Sequence, residues 1–230
     1  ATGTAQKGIS QQAFYDLEIP IPSLKTQNCI VQPIDAWMGM AKTEEKIVEQ
    51  LERALISQIV VMGMTAPRIA LRDIVKANYG SSKKPDVEEG EYPLIGGGIK
   101  PVRCVGSWNT EANTVIVARS GTAGYVSMYD KKSYVQSYAF VLELLNDTIS
   151  SEFLYYTLKS IQEQLMGLGV GSVQNNLNRD VLLDYQIHLP HIEEQKTLEC
   201  VFKEVQNKKK MIDIYHYLAQ QHIDKAIPRV

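Results

Sequence analysis

The polar side chains in the middle of this 230-residue sequence carry the donor and acceptor patterns that read nucleic acid. Arg and Lys suit the two acceptors on a guanine edge, and Asn and Gln suit the acceptor–donor edge of adenine. Lys100, Arg103, Trp108, Asn109, Arg119, Ser120, Tyr125, Lys131, Lys132, Tyr134, Gln136 and Ser137 fall on predicted loops or strand ends. Gln174, Asn175 and Asn176 fall on a polar, Gly-rich loop over residues 167–176. The pairs Lys83-Lys84 and Lys131-Lys132 suit phosphates. Each residue taken singly reads as an ordinary solvated side chain. Their collection on the loops of one domain is what carries weight.

Other chemistries find less support. The sequence holds no GxSxG, no HExxH and no methyltransferase-type Asp-Pro-Pro-Tyr tetrapeptide. Ser120, in Arg119-Ser120-Gly121, has no placed His base and reads as a turn residue. The four histidines, His188, His191, His216 and His222, all lie late in the chain. Gly96-Gly97-Gly98 is not a GxGxxG that opens a helix, and GK[ST] is absent, so the glycines read as turns between short strands. Cys29, Cys104 and Cys200 are odd in number and form no CxxC pair. They are expected to be small core residues of a protein in a reducing cytosol, with no metal site. The net charge of −2 argues against phosphate binding over the whole surface but allows a local basic face. No apolar run approaches the roughly 18 residues of a membrane span, and residues 1–10 lack a signal-peptide pattern. Without an initiator Met, the sequence is expected to be a portion of a longer chain or a half-sized variant.

These candidates are positioned by an internal repeat. Gly3, Gln6, Asp16, Ile19, Pro22 and Gln27 recur as Gly171, Gln174, Asp184, Ile187, Pro190 and Gln195. The offset of 168 residues, the step from Gly3 to Gly171 and from Gln27 to Gln195, is kept without a gap. After each Pro comes a long segment with apolar residues in alternating steps of three and four, the spacing of a coiled-coil seam. The second copy places Leu198, Phe202, Val205, Ile212, Ala219 and Ile223 on that seam, with Lys209 as an exception. The first places Val48, Leu51, Leu55 and Met62 there, with Glu44 and Gln58 as weak points. Two related helices in equivalent register favour a pair that packs on itself over two ordinary amphipathic helices packed on a core, and polar substitution of Leu51 or Phe202 is expected to separate them. Pro33 sets the expected start of the continuous first helix near itself, because Pro is tolerated in a first turn. A helix of roughly 30 residues is about 45 Å long, enough to act as a spacer.

Between the helices lies one unit of mixed α/β type. The predicted strands are 92–95, 114–119, 124–129 and 138–144, with a helix over 152–166 capped by Ser150 or Ser151, a helical turn from Asn178, and a strand ending at Pro190. Residues 78–90 read as a loop. Arg119 and the loop around Gln174 are expected to line one cleft, since both belong to Gly-flanked loops at strand ends.

These features resemble the specificity subunits of type I restriction–modification systems, and of related type II systems with a separate specificity chain. Three features carry the resemblance. The first is the ending Gly171-Ser172-Val173-Gln174, then Leu189-Pro190-His191-Ile192-Glu193-Glu194-Gln195 before a long helix. The second is Tyr92-Pro93-Leu94-Ile95-Gly96-Gly97-Gly98 followed by the run from Asn113 to Gly124. The third is the alternation of globular domain and long helix. The first copy of the ending departs from the pattern, reading Pro-Ser-Leu-Lys-Thr-Gln over 22–27.

The resemblance implies a mixed α/β target recognition domain (65–190) flanked by a spacer helix (28–64) and a C-terminal helix (191–230) that pair as an antiparallel coiled coil, with 1–27 as the tail of an upstream recognition domain. It implies a DNA-binding protein of the cytoplasm that reads half of a split site in double-stranded DNA and catalyses nothing itself. Its partners would be a methyltransferase subunit, a restriction subunit and, for a half-sized variant, a second copy of itself. It would bind no cofactor, S-adenosylmethionine, ATP and Mg belonging to the partner subunits. A scaffold that assembles partners without reading DNA, and an enzyme of another kind, remain as alternatives.

Overall fold

A computed structural model describes residues 10–16, 21–87, 89–169 and 176–226. The chain divides into two compact units, Ala1–Thr43 with Met211–Val230, and Glu44–Lys210. Two long helices contribute to both: α2 (Leu24–Gly63) and α7 (Glu199–Ala226).

In the first unit a short helix α1 (Gln11–Tyr15) precedes the start of α2. Ser23 caps α2, its hydroxyl accepting from the Thr26 N–H at 3.3 Å, and Gln27 Nε2 donates back to the Pro22 carbonyl at 2.8 Å. The helix therefore begins at Leu24, not at Pro33 as its first turn; Pro33 sits inside it. Having no N–H, Pro33 leaves the Cys29 carbonyl without its intrahelical donor, an interruption that the flanking turns tolerate. Ala41 and Ala219 are buried, and the Trp37 and His222 rings meet edge to face at 5.6 Å.

The second unit carries the mixed α/β domain. Its elements are β1 (Arg68–Ala70), a 3-10 turn (Leu71–Asp73), β2 (Val75–Tyr79), β3 (Tyr92–Ile95), β4 (Arg103–Val105), β5 (Val115–Ala118), β6 (Val126–Met128), β7 (Tyr134–Val135), β8 (Ala139–Leu144), α3 (Ser151–Ser160), α4 (Gln162–Gly167), α5 (Arg179–Leu183), β9 (Gln186–His188) and α6 (Ile192–Lys196). They form three small sheets, ordered β2-β8-β5-β6, β4-β3-β7 and β1-β9. All pairs are antiparallel except β3 with β7. Strand β5 is buried at all four positions, which is why Val115-Ile116-Val117-Ala118 reads as a continuous apolar run. Helix α3 starts where Ser150 Oγ accepts from the Phe153 N–H at 3.1 Å, and it packs on β5 and β6. The predicted single helix over 152–166 is broken at Ile161. The predicted loop over 78–90 begins late, because Asn78 and Tyr79 still pair with β8.

Within this unit α2 runs opposite to the C-terminal stretch. Glu44 pairs with Lys208 at 2.9 Å, whereas Gly63 lies against His188, ahead of α6. Val48, Leu55, Ile59, Leu198, Phe202 and Val205 are buried. Leu51 and Met62 are half-buried, and Ile59 takes the place that the strict repeat gives to Gln58. That is the drift expected when a 3.6-residue helix leaves a 3.5-residue repeat. In the other unit Ala219 is buried and Ile212 and Ile223 are half-buried. The charged interruptions of the seam are ion-paired: Glu44 with Lys208, and Lys209 with Glu52 at 2.7 Å. The Glu44 hydrogen bond holds the Lys208 amine above the usual lysine range.

The C-terminal segment is two helices rather than one, α6 ending before a turn at Thr197–Leu198. The repeat is structural as well as sequential. Helix α1 stands 168 residues before α5, and the Gln27–Pro22 bond recurs as Gln195 Nε2 to the Pro190 carbonyl at 2.9 Å. The three cysteines are exposed, contrary to the core reading, because each sits on an outward helix or edge-strand position. Among the described residues no helix is long and apolar enough to cross a membrane, and no cluster suited to a metal ion occurs.

Candidate nucleic-acid interface

Five chain segments of the second unit converge at strand ends: 79–81, 95–98, 119–121, 136–139 and 176–179. Backbone hydrogen bonds hold them. The Gly80 N–H donates to the Ala139 carbonyl (3.0 Å), and the Ser137 N–H donates to the Ser81 carbonyl (2.8 Å). The Gln136 N–H donates to the Ile95 carbonyl (2.9 Å), and the Arg119 N–H to the Tyr138 carbonyl (2.8 Å). The Thr122 N–H donates to the Gly97 carbonyl (2.8 Å). A side chain at Gly97 would overlap the Ser120 carbonyl oxygen, and Gly121 has a left-handed φ of 75°. Those glycines let two loops touch backbone to backbone.

The far end of the Gly-rich loop joins the same place. Asn176 bridges Ser120 as an isolated antiparallel pair, and the Leu177 N–H donates to the Arg119 carbonyl at 2.7 Å. Gln174 and Asn175 lie outside the described residues. Asn178 then caps α5, its Oδ1 accepting from the Asp180 N–H at 2.7 Å, so Arg179 projects from the first position of that helix.

The side chains at this convergence are cationic and aromatic. Arg119 Nη1 donates to the Ser137 carbonyl (3.2 Å), and its guanidinium lies 5.3 Å from the centre of the Tyr79 ring. The Arg179 guanidinium lies 5.5 Å from the same ring, which rests on the buried Phe140 at 5.2 Å. Each is within the range of a cation–π attraction. Among the described residues Arg119 makes no ion pair, and Arg179 has only the loose contact with Asp180 at 3.9 Å. Of the sequence candidates, the structure gathers Arg119, Ser120, Gln136 and Asn176 here. Tyr79 and Arg179 were missed. Tyr79 was hidden in an assumed loop, and Arg179 has Gln11 as its repeat partner, so the copies differ where the charge enters.

Other candidates stand apart from it. Asn109 brackets strand β7, its Nδ2 donating to the Val135 carbonyl (3.0 Å) and its Oδ1 accepting from the Val135 N–H (2.8 Å). That amide is engaged by the β7 backbone and staples the strand in place. Lys132 sits 3.5 Å over the Trp108 ring and 3.3 Å from Glu111, which neutralises its charge locally. The Tyr125 ring lies under Lys159 Nζ at 4.3 Å and packs toward α3. Burial there lowers the Lys159 amine below the usual lysine range. Lys100, Arg103 and Lys131 are exposed, and the Tyr134 hydroxyl donates to the Lys83 carbonyl (3.2 Å), fixing the loop that bears Lys83 and Lys84.

One concave feature with titratable groups is a pocket of about 270 Å³ between α2, α3 and β9, lined by Arg68, Thr157, Tyr185 and His188 among others. His188 Nδ1 lies 3.0 Å from the Ala66 carbonyl oxygen, and Arg68 Nε donates to His188 Nε2 at 3.3 Å. The imidazole thereby ties β1 and β9 to the end of α2, and no carboxylate lines the pocket.

The family model described as type I restriction modification DNA specificity domain matches residues 68–213. A putative type I specificity subunit of Mycoplasma pneumoniae is 32% identical over 112 residues, covering 48% of this chain and 30% of that protein. A putative type I specificity subunit of Mycoplasma genitalium is 28% identical over 143 residues, covering 60% of this chain and 37% of that protein. Both alignments thus span well under half of the curated relatives. The crystal structure of a type I restriction–modification S subunit from M. genitalium superposes with a TM-score of 0.65 at 18% identity, covering all of this chain and 68% of the other. This likeness shows the fold.

Proposed function

Because the chain belongs to the family of type I restriction modification DNA specificity domains, we propose that it reads one half of a bipartite site in double-stranded DNA for a restriction–modification complex. The observation that carries this reading is the convergence of five chain segments on one cluster, where Arg119 and Arg179 share the Tyr79 ring and where, among the described residues, the one carboxylate in ion-pair range is Asp180, 3.9 Å from Arg179. On a chain of net charge −2 such a cluster is a local basic feature, and Arg is the side chain suited to both guanine and phosphate. The paired helices act as a spacer that fixes the distance to a second reader. A spacer of fixed length sets the gap between half-sites, as in any bipartite reader.

In this reading the chain performs no reaction and holds no cofactor. A methyltransferase subunit brings the S-adenosylmethionine site, and a restriction subunit brings the ATP- and Mg-dependent machinery. All act in the cytoplasm. The second reader is either an upstream recognition domain, for which residues 1–27 supply the tail, or a second copy of this chain.

The test is co-purification with a candidate modification subunit, followed by mapping of DNA methylation with and without the chain. Methylation at a defined motif only in its presence supports the reading. Stable assembly without motif-specific methylation overturns it in favour of a protein-assembly scaffold.

A further inference from the structure

We infer that Tyr79, Arg119 and Arg179 form the point at which this domain selects guanine, with Arg119 reading the base edge, Tyr79 positioning it and Arg179 binding a neighbouring phosphate. This rests on the DNA-specificity reading above and assigns the cluster one base and three separate roles.

Arg119 is held before any ligand arrives. Its N–H donates to the Tyr138 carbonyl, its carbonyl accepts from Leu177, and its side chain lies between the Ser137 carbonyl and the Tyr79 ring. A guanidinium has five N–H donors in a planar fork. One donates to the Ser137 carbonyl, and among the described residues the others make no further side-chain hydrogen bond, so a pair of them is available to a ligand. Guanine presents two acceptors, O6 and N7, that match the fork; adenine presents one acceptor and one donor, and the donor clashes. An arginine ordered in advance loses little rotamer freedom on binding, so its contact discriminates between bases as well as attracting them.

Arg179 shares the ring but not the restraint. Its side chain is 45% exposed, and its nearest carboxylate, Asp180, is the adjacent residue at 3.9 Å. A charge free to reorient suits a phosphate, which carries no sequence information. Tyr79 acts through Arg119: its ring is fixed by Phe140, and the attraction to the guanidinium needs the ring and not the hydroxyl.

The experiment selects binding sites for the full chain from a library of randomised duplex DNA, and measures salt dependence on the selected sequence. The wild-type chain is expected to enrich a motif containing guanine. Arg119→Lys keeps the charge and loses the fork, so preference at one guanine should fall by about five- to 150-fold. Tyr79→Leu keeps an apolar contact with Phe140 and should relax that same position, whereas Tyr79→Phe should leave the motif intact. Arg179→Gln should weaken binding equally on all sequences and lower the log–log salt slope by about 1. If Arg119→Lys weakens every sequence alike, or Arg179→Gln alters a motif position, the assignment of roles is overturned. If Tyr79→Phe relaxes the motif as Tyr79→Leu does, the positioning role is overturned. Should the wild-type chain enrich no motif, the DNA-specificity reading itself fails, and the inference with it.

Discussion

Truncating Gln195 to Ala, with Gln27 to Ala as its internal reference, separates what the repeat encodes from what packing adds. Both amides donate to the carbonyl five residues earlier, Gln195 to Pro190 at 2.9 Å and Gln27 to Pro22 at 2.8 Å. Gln195 is 2% exposed, and its Nε2 also donates to the Thr148 carbonyl at 2.8 Å, tying α6 to the loop before α3. Gln27 makes its bond in an exposed setting. In Gln195→Ala two bonds worth about 1 kcal/mol each disappear, and a carbonyl left buried without a donor adds about 1–3 kcal/mol. The Gln195 Oε1, buried without a partner, is removed too, and that relief offsets part of the loss. The balance is about 3 kcal/mol for Gln195→Ala, against about 0.5 kcal/mol for Gln27→Ala, where water replaces the lost partner. For a chain of this size such a difference corresponds to a Tm lower by about 6–12 °C for the first variant and by no more than about 2 °C for the second. Thermal unfolding followed by circular dichroism measures both. Equal shifts in the two variants, or a loss under about 1 kcal/mol at Gln195, would refute the reasoning that burial makes the amide a tether.

Asn109→Ala should destabilise the protein by about 2 kcal/mol, because both bonds to Val135 are lost, while leaving the selected DNA motif unchanged; a changed motif would restore Asn109 as a base reader. Phe202→Ala should cost about 3–5 kcal/mol, since the ring is buried and stacked on Tyr156 at 5.5 Å, whereas Leu51→Ala, at a half-buried position, should cost less in the same denaturant titration. Burial, followed by the Glu52 charge, raises the Tyr155 and Tyr156 phenols well above their ordinary value. A raised folded-state pKa means stability that is fully present below the unfolded value near 10 and is lost as pH climbs above it. Absorbance at 295 nm should therefore show the Tyr155 and Tyr156 phenols, with the burial-raised Tyr129, lagging until the chain unfolds, and one fewer lagging phenol in Tyr156→Phe; a uniform transition near the ordinary value would contradict the burial of Tyr155 and Tyr156.

Much of the architecture was legible because it rests on short-range signals. The strands at Tyr92–Ile95, Val115–Ala118 and Ala139–Leu144 announce themselves by apolar runs between glycines and turns. Ser150 and Asn178 lie immediately before helices, where their side chains satisfy free N–H groups. The repeat was visible because equivalent structural tasks, such as a Gln reaching back to a Pro carbonyl, need the same residue in both copies. The paired helices followed from their apolar periodicity, and the family from motifs that cover most of the chain.

Tertiary structure decided the rest. Strands of two or three residues, such as β4 and β7, are too short to show a period and exist through their partners. Pro33 lies inside α2, and the cysteines face outward, because the face on which a residue lies is set by the element that carries it and not by residue type. The candidate site depends most on this level. Tyr79, Arg119 and Arg179 are far apart in sequence and meet only through the register of β2, β8 and β5 and the bond from Leu177 to Arg119. Asn109 and Arg119 are equally polar in sequence. One is engaged by the Val135 backbone and the other keeps N–H donors for a partner, because a hydrogen bond depends on where the fold brings two groups together, which residue type by itself does not specify.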